Sequence, residues 1–173
     1  KFPLTVIAEV KKIVKDKDVD NFIVGYRFSP EEVENPGITL EDTLSFIDVL
    51  ANQGLSYLHS SIMDFWQSSM RDASNTNPII CKILDKIHGR VPFIGVGSIH
   101  TPADAIKALE SGVAFISLGR ELIMEPKWVS KVQSGKISEI RTTISKTHGK
   151  SLDIPEPLWN AIINTPGWFP LSE

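Results

Sequence analysis

Two short stretches carry the residues best suited to hold a charged ligand. They are "IGVGSI", with Gly97 followed by Ser98, and "ISLGREL", with Gly119 followed by Arg120. In each, an apolar run of strand length stops in glycine. A glycine there lets backbone N–H groups come close to a phosphate, and the helix start at Arg120 adds further donors and a favourable dipole. The guanidinium of Arg120 can offer the same anion a two-pronged, charged contact. Turn geometry alone also places glycines at strand ends, so the pairing of the two loops around one short helix is what suggests a shared phosphate.

A third candidate is Arg27, at the end of the otherwise apolar run "NFIVGYRF". An arginine there points to solvent or into a site, which the strand end favours, or joins a structural ion pair. His59 lies near the end of "LSYLHSS", where it either bonds a ligand or packs as a hydrogen-bonded core histidine. Asp64, Trp66 and Arg71 lie on the following loop and could line an opening. His88, His100 and His148 have no acidic or cysteine partner at metal-ligand spacing, and neither a nucleophile-elbow nor a Walker pattern is present. Metal and hydrolase readings are therefore weak.

The elements that must position these residues alternate. Leu4, Ile7, Val10 and Val14 fall at helical spacing. The apolar strand run of residues 21–28 follows, closed by Ser29 and Pro30 and the turn-rich "SPEEVENPG". Thr39 and Asp42 form a capping-box-like pair for a helix with its stripe on Leu40, Thr43, Leu44, Ile47, Leu50 and Ala51, closed by Gly54. Residues 55–61 read as the second strand. Asn77 and Pro78 read as the start of a helix built on Ile80, Ile83, Leu84 and Ile87, ended by Gly89. "VPFIGVG" is the third strand. Thr101, Pro102 and Asp104 open a helix whose Ile106 and Leu109 are expected to face the core, and "VAFISLG" is the fourth strand. Short, continuously apolar strands between helices predict a parallel sheet covered on both faces. Equal units with short connections suit a barrel, and four such units are half of an eight-stranded one, which usually takes about 250 residues. Beyond Gly119 come a short helix and two more helical pieces, then a tail rich in Pro and Trp whose Trp159, Trp168 and Phe169 are expected to bury against the domain.

Composition narrows the classes. With 42% hydrophobic and 23% charged residues the chain reads as one globular domain. Its net charge of −3 and lack of a basic stripe argue against nucleic acid as a partner. No apolar stretch approaches the roughly 20 residues needed to span a bilayer, and no signal-peptide pattern opens the chain, so no membrane partner is expected. The single Cys81 reads as a small buried hydrophobe and points to a reducing, cytoplasmic setting. The sequence begins at Lys1, without an initiator Met, and enters a helix almost at once, as a piece of a longer chain would.

From about Phe2 to Trp128 these motifs resemble the C-terminal half of the Old Yellow Enzyme family, FMN-dependent oxidoreductases that take hydride from a nicotinamide and pass it to activated alkenes. The closest likeness is to the bacterial NADH-dependent flavin oxidoreductases. "VGYRFSPEE" is similar to the family's strand with an arginine before Ser-Pro, "IGVGSI" to its first phosphate loop, and "ISLGRELIMEP" to its Gly-Arg loop and helix. The resemblance implies the fold class: the C-terminal half of a TIM (β/α)8 barrel over residues 1–125, about four parallel β/α units, with a helical extension over 126–173.

It also implies a cofactor site. Arg27 would lie against the N1 and O2 edge of FMN, stabilising the anionic reduced ring, while Gly97, Ser98, Gly119 and Arg120 grip the phosphate. NADH or NADPH would supply the hydride, and a small molecule would receive it. The family's substrate-binding and proton-donating residues come from the other half of the barrel, so no catalytic residue is assigned here. A half barrel has open sheet edges, which predicts a homo-oligomer or pairing with the missing half, and a piece inactive by itself. Without the resemblance, a stand-alone phosphate-binding half barrel and a sugar-phosphate barrel enzyme remain open.

Overall fold

Each expected strand is present in the computed structural model, but shorter than its apolar run. They are β1 (Gly25–Phe28), β2 (Tyr57–Ser60), β3 (Phe93–Val96) and β4 (Phe115–Ser117). The structure describes residues 1–19, 21–145 and 147–172. The strands hydrogen-bond in the order β1-β2-β3-β4, and all pairings are parallel. The fold is thus α/β with a parallel sheet. Residues 1–98 and 108–117 form one unit, and residues 99–107 with the chain from Leu118 onward form a second.

In the first unit the register decides which side chains meet. Arg27 pairs with His59, His59 with Ile94, and Ile94 with Phe115. Partners in a parallel ladder project to the same side, and successive residues alternate. One face therefore carries Tyr26, Phe28, Leu58, Ser60 and Phe93, and this is the side toward the helices. Tyr26 meets Phe46 of helix α2 (Leu40–Leu50) edge-on at 5.8 Å, and Phe28 stacks with Phe93 at 6.5 Å. Leu58 is fully buried, as are Ile47 and Leu50 of α2 and Ile79, Ile80 and Ile83 of helix α3 (Ile79–Ile87). Helix α1 (Phe2–Asp16) buries only Ile7.

The opposite face carries Tyr57, Arg27, His59, Ile94, Val96 and Phe115, none of them fully buried, and Phe115 is 59% exposed. The strands were expected to be covered on both faces. Among the described residues of this unit only one face is covered, although the other is largely apolar as well.

Local start and stop signals mostly hold. Thr39 caps α2 with a reciprocal bond to Asp42, the full capping box. Thr101 and Asp104 do the same for helix α4 (Pro102–Glu110), with the Asp104 N–H donating to Thr101 Oγ1 at 3.2 Å and the Thr101 N–H donating to Asp104 Oδ2 at 2.8 Å. Asn77 departs from expectation: the cap position of α3 is Pro78, with no side-chain cap bond. The face of α4 also departs. Pro102, Ala105 and Ala108 are its buried residues, while Ile106 and Leu109 are 59% and 44% exposed. Both sets have the i, i+3 spacing of a helical stripe, so spacing could not choose between them. Cys81 is half-buried in α3.

The second unit contains α5 (Arg120–Met124), α6 (Trp128–Gln133), a 3₁₀ turn (Ile137–Glu139), β5 (Ile144–Ser145), α7 (Glu156–Asn164) and β6 (Leu171–Ser172). Its core is Met124, Ile144, Ile162 and Phe169, with Trp159 packed against it. Phe169 is buried as expected, whereas Trp168 is 36% exposed and stands edge-on to Phe169. The extension, expected as helical pieces and a Pro- and Trp-rich tail, also holds a parallel pairing of β5 with β6, two residues from each, too short to leave a periodic signal. Among the described residues no helix is long and apolar enough to cross a membrane.

The two faces of the sheet predict opposite sensitivities. Leu58→Ala should cost roughly 2–5 kcal/mol in urea unfolding, as for other fully buried leucines. Phe115→Ser, on the open face, should cost less than about 1 kcal/mol. Equal losses would mean that the core has been placed on the wrong side.

Candidate functional site

Because the strands are parallel, their C-terminal ends lie along one edge, and the loops leaving β1, β2 and β3 gather there. Arg27 is on the open face near the end of β1. Its Nη2 donates to Ser61 Oγ, just past β2, at 2.7 Å. His59, its register partner, has its Nε2 buried with no hydrogen-bond partner among the described residues. Burial, and then the charge of Arg27, hold the His59 imidazole below its ordinary pKa. The edge therefore presents one fixed cation, a hydroxyl and a neutral imidazole.

The loops are braced against each other. Glu31, 7% exposed, accepts from Ser69 Oγ at 2.8 Å and from the Met70 N–H at 2.6 Å, tying the loop after β1 to the loop after β2. Arg71 Nη1 reaches the carbonyl oxygens of Glu32, Glu34 and Gly37 at 3.3–3.5 Å, so this arginine holds loop backbone. Asp64 accepts from the Trp66 N–H at 2.8 Å, closing a local turn, and Trp66 stays 37% exposed beside Phe65.

Gly97 and Ser98 belong to this bracing. Gly97 has φ +121°, and a Cβ there would lie 2.7 Å from the backbone of Asp64 and Phe65. The Phe65 N–H donates to the Gly97 carbonyl at 3.1 Å, and Ser98, with φ 47°, donates its hydroxyl to the Met63 carbonyl at 2.9 Å. Both positions therefore have a backbone reason for their residue type, whatever they bind.

Gly119 and Arg120 open the second unit's α5. Gly119 is its N-cap residue, and a Cβ there would meet no atom within 4 Å, which leaves space for a close approach. Arg120 Nη1 donates to the Trp168 carbonyl at 2.9 Å. Sequence reasoning missed the neighbouring Glu121. Its side chain is 1% exposed, His100 Nδ1 lies 3.0 Å from Oε2, and Oε1 has no partner among the described residues. Burial pushes the Glu121 carboxyl above the usual carboxylate range; the His100 hydrogen bond opposes the rise, and Glu125 and Asp104 add to it. His100 is held in turn by its carbonyl, which accepts from Trp128 Nε1 at 2.9 Å. Glu125 shows the reverse balance: burial opposes its charge, but bonds from Lys131 and from the Arg141 and Lys127 N–H groups outweigh that and hold its carboxyl low. The only signal for the Glu121 pair was an acidic residue directly after Gly-Arg.

A parallel sheet flanked by helices, with Arg27 on its open face at the edge where the loops gather, defines an α/β protein. The chain belongs to the NADH:flavin oxidoreductase / NADH oxidase family, whose model matches residues 1–139. FMN and NADH are the cofactors of that family. The chain is 40% identical over 172 residues to the Bacillus subtilis protein named "Probable NADH-dependent flavin oxidoreductase YqiG", covering 99% of this chain and 46% of that protein. It is 38% identical to the NADH:fumarate oxidoreductase of Klebsiella pneumoniae, over 92% of this chain and 17% of that protein. To the NADH:acrylate oxidoreductase of Vibrio harveyi it is 37% identical, over 91% of this chain and 16% of that protein. The chain thus spans less than half the length of these curated relatives.

Two outcomes follow from the bracing. Gly97→Ala should destabilise the chain by more than about 1 kcal/mol, since it adds left-handed strain to a backbone clash. Thermal unfolding at the parent's melting temperature would expose a Gly97 that is not so constrained. The raised Glu121 carboxyl binds its proton more tightly in the folded state, so its stabilising contribution is present at low pH and lost as pH rises through the raised value. Relative to Glu121→Gln, the parent should therefore lose stability as pH rises from about 4, which urea titrations at several pH values would read directly. A pH-independent difference would show an ordinary carboxyl.

Proposed function

We propose that this chain is the C-terminal half of an FMN-binding (β/α)8 barrel, and that the complete gene product passes hydride from NADH or NADPH through FMN to an activated alkene. The observation that carries the reading is Arg27: a guanidinium fixed to Ser61 at 2.7 Å on the open face of a parallel sheet, in a chain of this family. Two relatives are named for fumarate and acrylate, both alkenes conjugated to a carboxyl group, which favours an acceptor of that chemistry.

The residues present fit FMN. The unpartnered His59 Nε2 and the cation of Arg27, neighbours in the sheet register, are polar groups of the kind a heteroaromatic ring edge takes. The open space above Gly119 suits a close approach. When bound, FMN supplies a carrier that accepts and releases a hydride. Arg27 would stabilise negative charge on the flavin, its exposed guanidinium positioned by the bond to Ser61. By the family motifs, the backbone N–H groups of Gly97 and Ser98 would hold the phosphate, and Gly119 with Arg120 carry the second motif expected to do so. None of these residues donates a proton to substrate, so that task falls to the rest of the protein. The half barrel takes in residues 1–125, and 126–173 is its extension. The remaining strands of the barrel cover the face that exposes Ile94, Val96 and Phe115, and the setting is cytoplasmic.

The test uses the complete gene product. It should purify yellow and lose about tenfold or more in FMN affinity on Arg27→Ala. The midpoint potential should fall by roughly 30 mV or more, the equivalent of tenfold for a two-electron couple. Arg27→Lys should recover part of the potential by keeping the charge. A protein that takes up no FMN, or an Arg27→Ala variant unchanged in both readouts, would refute the assignment.

A further inference from the structure

His59 is the buried polar group that the loop bracing leaves unused. It stands between Arg27 and Ile94 in one row of the sheet, with Phe115 beyond, so all four side chains project from the open face. Ile94 and Phe115 offer no polar atom. Arg27 directs Nη2 to Ser61 Oγ, and no hydrogen bond links its guanidinium to the imidazole. Nothing along the row therefore satisfies His59 Nε2, which is buried and unpartnered among the described residues. A buried ring nitrogen left without a partner is unfavourable, and the open face is the side from which this row can be approached by a ligand.

The chemistry of that partner follows from the neighbour. A fixed cation in the adjacent register position draws electron-rich atoms, carbonyl oxygens above all, to this part of the face. An imidazole beside such an atom must donate. Burial and Arg27 both disfavour a second positive charge there, and a neutral imidazole still has one N–H to give.

We propose that His59 is a further ligand-binding residue, whose Nε2–H donates to a carbonyl oxygen on the same flavin ring edge that Arg27 holds. This rests on the FMN reading above. It differs from the phosphate grip in kind, because it acts on the ring and is indifferent to the phosphate.

The experiment compares parent, His59→Leu and His59→Gln forms of the complete gene product, stripped of flavin and titrated with FMN and separately with riboflavin. His59→Leu should weaken both ligands by about tenfold, the loss of a hydrogen bond at a desolvated site. His59→Gln, which keeps an N–H donor at similar reach, should recover to within about threefold. In the parent, the His59 Nε2 nitrogen resonance should shift on saturation with FMN, a readout that needs no variant to fold. Loss of FMN affinity with riboflavin unaffected would place the effect at the phosphate and overturn the proposal. So would an Nε2 resonance that does not move while FMN binds, since the partner would then come from the protein. If the parent binds no flavin, the FMN reading falls and this inference falls with it; if FMN binds and His59→Leu changes nothing, only this inference falls.

Discussion

Parallel pairing in one continuous register underlies everything else in the first unit. Four short strands run the same way, so their C-terminal ends share an edge and the loops that leave them become neighbours. The same register sorts side chains into rows. Leu58 and Phe93 fall on the side that the helices cover, and Arg27, His59, Ile94 and Phe115 on the side left open. A one-residue slip in any strand would exchange the two sets, burying a guanidinium and exposing the core. The packing of Leu58 under α2 and α3 is thus also what aims Arg27.

The loops add a second layer of constraint, and much of it is polar. Glu31 stitches the first loop to the second, Gly97 lets backbone lie on backbone, and Ser98 ties the third loop to Met63. In the second unit Glu121 and Glu125 are buried carboxylates satisfied to different extents, one only partly bonded and the other bonded by three partners. Buried charged groups contribute less to net stability than apolar packing of equal volume. What they contribute here is a single arrangement of chain segments that have no ladder of their own. The backbone conformation of Gly97 and Ser98 packs against Asp64 and Phe65 and turns the loop at the end of β3.

Some of this was legible in the letters. Thr39 with Asp42 and Thr101 with Asp104 announced two helix starts, because a capping box is closed within four residues and owes nothing to the rest of the fold. The four apolar runs announced a parallel sheet, and the Arg-Phe-Ser-Pro, Gly-Ser and Gly-Arg motifs announced a flavin oxidoreductase family that the comparisons bear out. Less was legible wherever two equal patterns competed. Ile106 with Leu109 and Ala105 with Ala108 describe equally good stripes on α4, and only the packed structure selects the alanines. The β5 and β6 pairing involves two residues from each strand, below the length at which alternation can be read.

The sequence by itself determined the types of the first unit's strands and helices, their parallel direction and the family, since these follow from local periodicity, short-range caps and motifs a few residues long. Tertiary structure alone decided the partners of long polar side chains. It set Arg27 on Ser61, 34 residues away, and Arg120 on the carbonyl of Trp168, 48 residues away. It turned Arg71 to loop carbonyls, paired His100 with Glu121, and left His59 Nε2 without a partner. The physical reason is reach. A flexible side chain can meet any group that folding brings within a few ångströms, and no spacing along the chain encodes which group that will be.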